Sequence, residues 1–182
     1  GCALLPPFVR AARSRCWMPA PASSAILAAL KYDGWMGVAD GIGARLARLP
    51  WPADVVAERA ALVPVPLAAV KARARGFNQA DAIAEAVARR WGIPVWRAAL
   101  TRTRATPSQT TLTPGERLAN VHGAFLAEAA YAERLRGRHV ILVDDVLTTG
   151  ATLNACASAL FAAGTRTLSY LTFGRARTAM DR

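Results

Sequence analysis

The spacing of apolar and polar residues along this chain changes period several times, and each change marks an element. Between residues 25 and 49 apolar side chains recur at helical spacing in two blocks, Ile26, Leu27 and Leu30, then Val38, Ile42, Leu46 and Leu49. Ser23 and Ser24 offer an N-cap to the first block, and Asp33 with Gly34 ends it. The second starts near Met36 and stops at Pro50, and both helices read as packing elements. At residues 62–66 the pattern becomes a short apolar run interrupted by proline, LVPVP, which suits a buried strand leaving into a rigid loop. Asn78, with Asp81 three places on, caps a third helix whose Ile83, Val87 and Trp91 share a face until Gly92 and Pro94. The order here is strand, basic loop, helix.

Residues 95–100 and 121–126 read as strands on either side of a polar tract, 101–120, that contains Pro107 and Pro114. Tracts of that length inside compact domains are functional loops or disordered segments. The clearest unit follows. Residues 139–143 (HVILV) form a β-rich run, 144–149 a polar turn, and Leu153, Ala157, Leu160 and Phe161 recur at helical spacing until Gly164. Residues 167–173 make a further strand. Strands alternating with helices predict an α/β domain with a central parallel sheet and ligands beyond the carboxyl ends of its strands. Residues 1–22 mix Pro, Arg and Cys without period and read as an irregular lead-in.

Composition narrows the picture modestly. A chain of 182 residues fits one domain with a small appendage and a single site. Its apolar runs fall short of the roughly 18 residues of a membrane helix, so a soluble protein without membrane association is expected. Cys2, Cys16 and Cys156 form no CxxC pair, which predicts reduced thiols, a cytoplasmic location and no zinc site. The opening residues lack the charged and long apolar parts of a signal peptide, and a start at Gly1 reads as trimmed. The net charge of +11 rests on 21 Arg and 2 Lys against 12 carboxylates. Residues 71–117 hold nine basic side chains and three acidic ones, so an anionic ligand or nucleic acid is expected there.

The candidate chemistry lies in VILVDDVLTTGAT at residues 140–152, where a buried strand delivers two carboxylates to its exposed end and a Thr/Gly turn opens the next helix. Such a turn presents backbone N–H groups and the hydroxyls of Thr148, Thr149 and Thr152 to one phosphate, assisted by the helix dipole. Gly150 allows close backbone approach. Asp144 and Asp145 suit ribose hydroxyls or the water shell of magnesium. The plainer alternative for two such Asp is helix capping. No GxxxxGK[ST] occurs, which argues against a P-loop, and Val146 stands where a haloacid-type phosphatase would have its second Asp.

Residues 140–153 resemble the signature by which type I phosphoribosyltransferases bind 5-phosphoribosyl-1-pyrophosphate (PRPP). Two more segments, VPVPL at 63–67 with RGFNQ at 75–79, and Thr106, Gln109, Leu112, Arg117, Asn120, Gly123 and Phe125, extend a resemblance to the bacterial ComF/GntX family over about residues 25–175. The resemblance implies a type I phosphoribosyltransferase fold, with a core over residues 61–178 and a small helical hood over 23–60. It implies a 5′-phosphate site at Leu147, Thr148, Thr149, Gly150, Ala151 and Thr152, and a pyrophosphate loop over 66–78 with Lys71, Arg73 and Arg75. It also implies a flexible loop with Arg104, Gln109 and Arg117, and catalytic roles for Asp144, Asp145 and Arg75. Magnesium would come with PRPP, with Asp144 and Asp145 as further contacts. The zinc ribbon that usually comes first in that family is not among these residues.

The implied activity is displacement of pyrophosphate from C1 of PRPP by a nucleobase or amine, through a transition state with positive charge on the ribose. A glutamine-dependent version would need a large N-terminal domain with a leading cysteine, which Cys2 does not supply. The competing class is a single-stranded DNA-binding module in competence or DNA uptake, although an aromatic content of 7% is low for stacking platforms. A PRPP sensor without turnover stays open, as does an oligomer. His122 and His139 read as structural, Trp91 and Trp96 as core, and Cys156 as buried on the helix after the signature.

Overall fold

The computed structural model describes residues 5–32, 36–103 and 123–176. Four parallel strands make its main sheet in the order β1-β6-β5-β2: β1 is Val9–Met18, β2 Arg59–Pro64, β5 His139–Leu147 and β6 Thr167–Ala176. A short antiparallel pair, β3 (Leu100–Arg102) and β4 (Phe125–Ala127), stands apart from it. The helices are α1 (Pro21–Tyr32), α2 (Met36–Leu46), α3 (Ala53–Glu58), α4 (Ala69–Arg75), α5 (Gln79–Trp91), α6 (Ala132–Leu135) and α7 (Ala151–Ala162).

Alternation along the strands sorts the core into two layers. Val140 and Leu142 of β5 join Val63, Leu168 and Tyr170 under Leu153, Cys156 and Leu160 of α7. Ile141 and Val143 point the other way, joining Leu62, Leu171 and Phe173 beneath α1, α2 and α5. A sheet buried on both faces needs near-continuous apolar strands, which is what β5 and β6 supply. The layer of α1, α2 and α5 is tightly seated, because Gly43 of α2 lies directly against Ala86 of α5.

Several sequence expectations are corrected. Residues 9–18 are not irregular lead-in but the edge strand β1, made by pairing with β6 at the far end of the chain. Helix α1 starts at Pro21, with Ser23 donating its hydroxyl back to the carbonyl of Ala20, so the Ser residues sit inside the first turn, where proline at the first helical position is favourable. Helix α2 ends at Leu46, short of Pro50. The basic loop contains a helix, α4, closed by Gly76 at φ 74°. Residues 95–100 give a single bridge at Val95 and a 3₁₀ turn before β3 begins. Asp144 and Asp145 are strand residues, since β5 runs on to Leu147 before turning.

At the amino end of β5, His139 is buried, sharing a hydrogen bond of 3.0 Å with Ser169, and its Nδ1 stands 3.9 Å from Glu58. Burial pulls its pKa below the ordinary value, outweighing Glu58. The folded state therefore favours the neutral ring: its contribution to stability is present above about pH 6.5 and is lost as pH falls through the depressed value. The unfolding midpoint is expected to drop between about pH 6.5 and 5, and less so in His139→Gln, as thermal melts across that range would read.

Candidate functional site

The site is built at the carboxyl ends of β5 and β2, which lie side by side and are tied by Val65 N–H donating to the carbonyl of Val143 at 2.9 Å. Here the apolar alternation of β5 gives way to Asp144 and Asp145, and the two carboxylates enter different surroundings. Asp144 falls within the field of Arg102 and Cys156, on the α7 side, and its Oδ1 accepts from the Asp145 N–H at 2.8 Å. Asp145 faces the other layer. Its Oδ2 meets Lys31 Nζ of α1 at 2.5 Å and accepts from Gln79 Nε2 of α5 at 3.4 Å.

Burial, and next the charge of Asp145, push Asp144 up to about 8. Two carboxylates side by side at a strand end resist double ionisation, and the basic groups nearby only partly offset that. Burial also raises the Cys156 thiol well above its usual range, so it is an inert core residue as expected.

Beyond Leu147 the chain turns through Thr148 and Thr149, and Gly150 precedes α7 in the left-handed region at φ 81°. Gly150 brings no capping side chain of its own, and Thr149 Oγ1 accepts from the Ala151 N–H at 3.4 Å. A helix start opened by a left-handed glycine can present backbone N–H groups toward an anion. Asn78 fastens the neighbouring wall. Its Oδ1 accepts from Ala80 N–H at 3.1 Å to cap α5, and its Nδ2 donates to the Val65 carbonyl at 3.0 Å, locking α5 to the end of β2.

Of the remaining sequence candidates, Arg73 is exposed and Arg75 half-buried on α4, which follows β2. Lys71 is in the same helix, while Arg104, Gln109 and Arg117 lie outside the described residues. Arg102, at the end of β3, shares the electrostatic surroundings of Asp144. Three groups were not read from sequence as site residues: Lys31, Gln79 and Arg102. The available signal for the first two is a polar residue on an apolar helix face, since Lys31 follows Leu30 and Gln79 is buried at the start of α5. A cleft of about 430 Å³ between α2 and α5 is lined by Asp40, Phe77, Asn78, Asp81, Glu85 and Arg97, among others.

With this geometry in hand, the chain can be set beside known proteins. The sequence profile of the phosphoribosyl transferase domain matches residues 67–176. DNA utilization protein YhgH of Escherichia coli O157:H7 is 38% identical over 108 residues, 59% of this chain and 45% of that protein. Competence protein F of Haemophilus influenzae is 38% identical over 94 residues, 52% of this chain and 41% of the relative. The chain thus spans less than half the length of these two relatives. Glutamine PRPP amidotransferase of Bacillus subtilis aligns in structure over 72% of this chain and 25% of its own, with 20% identity and a TM-score of 0.46. No helix among the described residues is long and apolar enough to cross a membrane.

Proposed function

This chain belongs to the phosphoribosyl transferase domain family, and from that membership we propose that it binds PRPP at the carboxyl ends of β2 and β5 and transfers the phosphoribosyl group to a nucleobase or amine, releasing pyrophosphate. One observation carries the reading: β5 delivers Asp144 and Asp145 shortly before a left-handed glycine turn and the start of α7, so sugar-binding acceptors and phosphate-binding donors adjoin. The 5′-phosphate would sit on Leu147, Thr148, Thr149, Gly150, Ala151 and Thr152. The ribose hydroxyls would meet the two carboxylates. Arg73 and Arg75, on α4 beyond β2, are suited to the diphosphate because a planar guanidinium can hold two phosphate oxygens at once.

Hard carboxylate oxygens fit magnesium, and with Oδ2 of Asp145 engaged by Lys31 the pair would hold the ion through its water shell. The metal would neutralise the departing diphosphate. The chain's own work is to fix the ribose, to keep carboxylates near a sugar that becomes cationic, and to present basic groups to the leaving group. Residues 103–120, the flexible loop that the family resemblance implies, would close over the ligand and exclude water.

The names of the relatives, DNA utilization and competence proteins, favour a second reading as a single-stranded DNA-binding module. Two tryptophans that could serve as stacking platforms are already engaged by cations, Trp51 by Arg13 at 5.6 Å and Trp91 by Arg59 at 4.0 Å. The test is calorimetric titration of magnesium-PRPP into the wild type and into Asp144→Asn/Asp145→Asn. The expected result is wild-type binding that weakens by at least about tenfold in the variant, followed by pyrophosphate release in the presence of the right acceptor. Absent wild-type binding, with steeply salt-dependent oligonucleotide binding, would replace this reading by the DNA one.

A further inference from the structure

The ion pair between Lys31 and Asp145 is unusual in where it is made. Lys31 is in the last turn of α1, outside the span matched by the transferase-domain profile, yet its ammonium reaches the carboxylate at the heart of the proposed site. Neither partner is a solvated surface group, with side-chain exposures of 23% for Lys31 and 13% for Asp145. Taking a lysine that far out of water costs more than a generic surface pair returns, so fold stability alone gives weak reason for it.

A second group converges on the same oxygen from another element. Gln79, 6% exposed at the first position of α5, donates Nε2 to Asp145 Oδ2 at 3.4 Å. A carboxylate can only accept, so this contact fixes which end of the amide faces it. Gln79 Oε1 is then buried with no hydrogen-bond partner among the described residues. An orphaned buried acceptor is costly. It is tolerated here because the amide's other end is committed to Asp145.

Two donors from two helices thus hold one oxygen of Asp145, and among the described residues no donor reaches the other, Oδ1. We infer that Lys31 and Gln79 are positioning residues for sugar recognition: they pin Asp145 Oδ2 and turn Oδ1 toward the hydroxyls of a ribose phosphate. The inference rests on the proposed PRPP site and adds to it that the N-terminal helices complete the site. Through Lys31, residues 21–32 become part of the machinery and not merely packing beside it.

The consequence is selective, since a residue that acts through Asp145 should matter to ligands with ribose hydroxyls and not to those without. Ribose 5-phosphate and magnesium-pyrophosphate are the two probes, titrated into wild type, Lys31→Met, Lys31→Arg and Gln79→Met, with thermal melts to confirm folding. Lys31→Met and Gln79→Met are expected to weaken ribose 5-phosphate by about tenfold and to leave pyrophosphate within about twofold, while Lys31→Arg stays within about threefold on both. Equal weakening of the two probes would mean that Lys31 meets phosphate itself, and unchanged ribose 5-phosphate binding would mean that it only packs; either overturns the inference. Should the folded wild type bind neither probe, the PRPP reading itself fails and takes the inference with it.

Discussion

Asp144→Asn is expected to make the ligand-free protein more stable at alkaline pH while weakening the proposed binding of PRPP. Asp144 is raised in the folded state to about 8, first by burial and then by the charge of Asp145. An unfolded chain would titrate it at about 4. The folded state therefore holds the proton more tightly. Its contribution to stability is complete below about pH 4 and is lost as pH rises through about 8. Above that, the protein must hold two adjacent carboxylates or strain to relieve them. Asparagine keeps the shape and removes the charge. In chelator-containing buffer at pH 9, the variant should melt on the order of 5 °C above wild type, corresponding to about 2 kcal/mol, and the gap should close at pH 5. The whole chain carries a large positive charge, so both proteins share the background change in self-repulsion, and their difference isolates the one group. A variant that melts below wild type at pH 9 would show that Asp144 is a structural acceptor and not a group held under strain for a ligand.

The second large effect is purely steric. A β-carbon added at Gly43 would stand 2.3 Å from the Ala86 methyl and 2.9 Å from the Ala86 carbonyl carbon. Backbone is involved, so no side-chain rotation relieves the clash, and α2 must move away from α5 or tilt. Overpacking of this kind costs about 1–3 kcal/mol, sometimes more, and the better helix propensity of alanine, about 1 kcal/mol, offsets only part of it. Gly43→Val should be worse, through its larger volume. Combining Gly43→Ala with Ala86→Gly should recover part of the loss in a urea melt, because it removes the atom in the way. Gly174 offers a contrast. There the added carbon would meet the Met18 side chain at 2.5 Å, a flexible group that can yield.

How much of this could be read from the sequence depends on whether the determinant is local. The strand β5 and the turn into α7 were legible because a fully buried run of Val, Ile and Leu ends in Asp-Asp and then glycine, and each residue acts through its immediate neighbours. The α/β class followed from the same alternation. Strand β1 was not legible. Its Arg-rich sequence has little strand pattern of its own, and pairing with β6 overrides local propensity. Helix α4 was hidden by the prolines before it, although AVKARAR is built from good helix formers. Lys31 was missed for a third reason: a lysine in the last turn of a helix normally serves the helix dipole, and only the folded chain reveals the carboxylate it has found. The expected roles of Lys71, Arg73 and Arg75 rest on their position after β2.

The pairing of β1 with β6 also sets the order in which the protein can be made. Ser14 of β1 and Thr172 of β6 join hydroxyls at 2.7 Å across a sequence separation of 158 residues. Strand β1 thus leaves the ribosome well before the partner it pairs with. Closing so long a loop adds little to the equilibrium cost, which grows only with the logarithm of its length, but it makes β1 late and exposed during synthesis. Arginines at 10, 13 and 15 place like charge along that unpaired edge, and such charge disfavours edge-to-edge pairing. A chain released before Thr167 would lack β6, and with it the strand that joins β1 to the rest of the sheet.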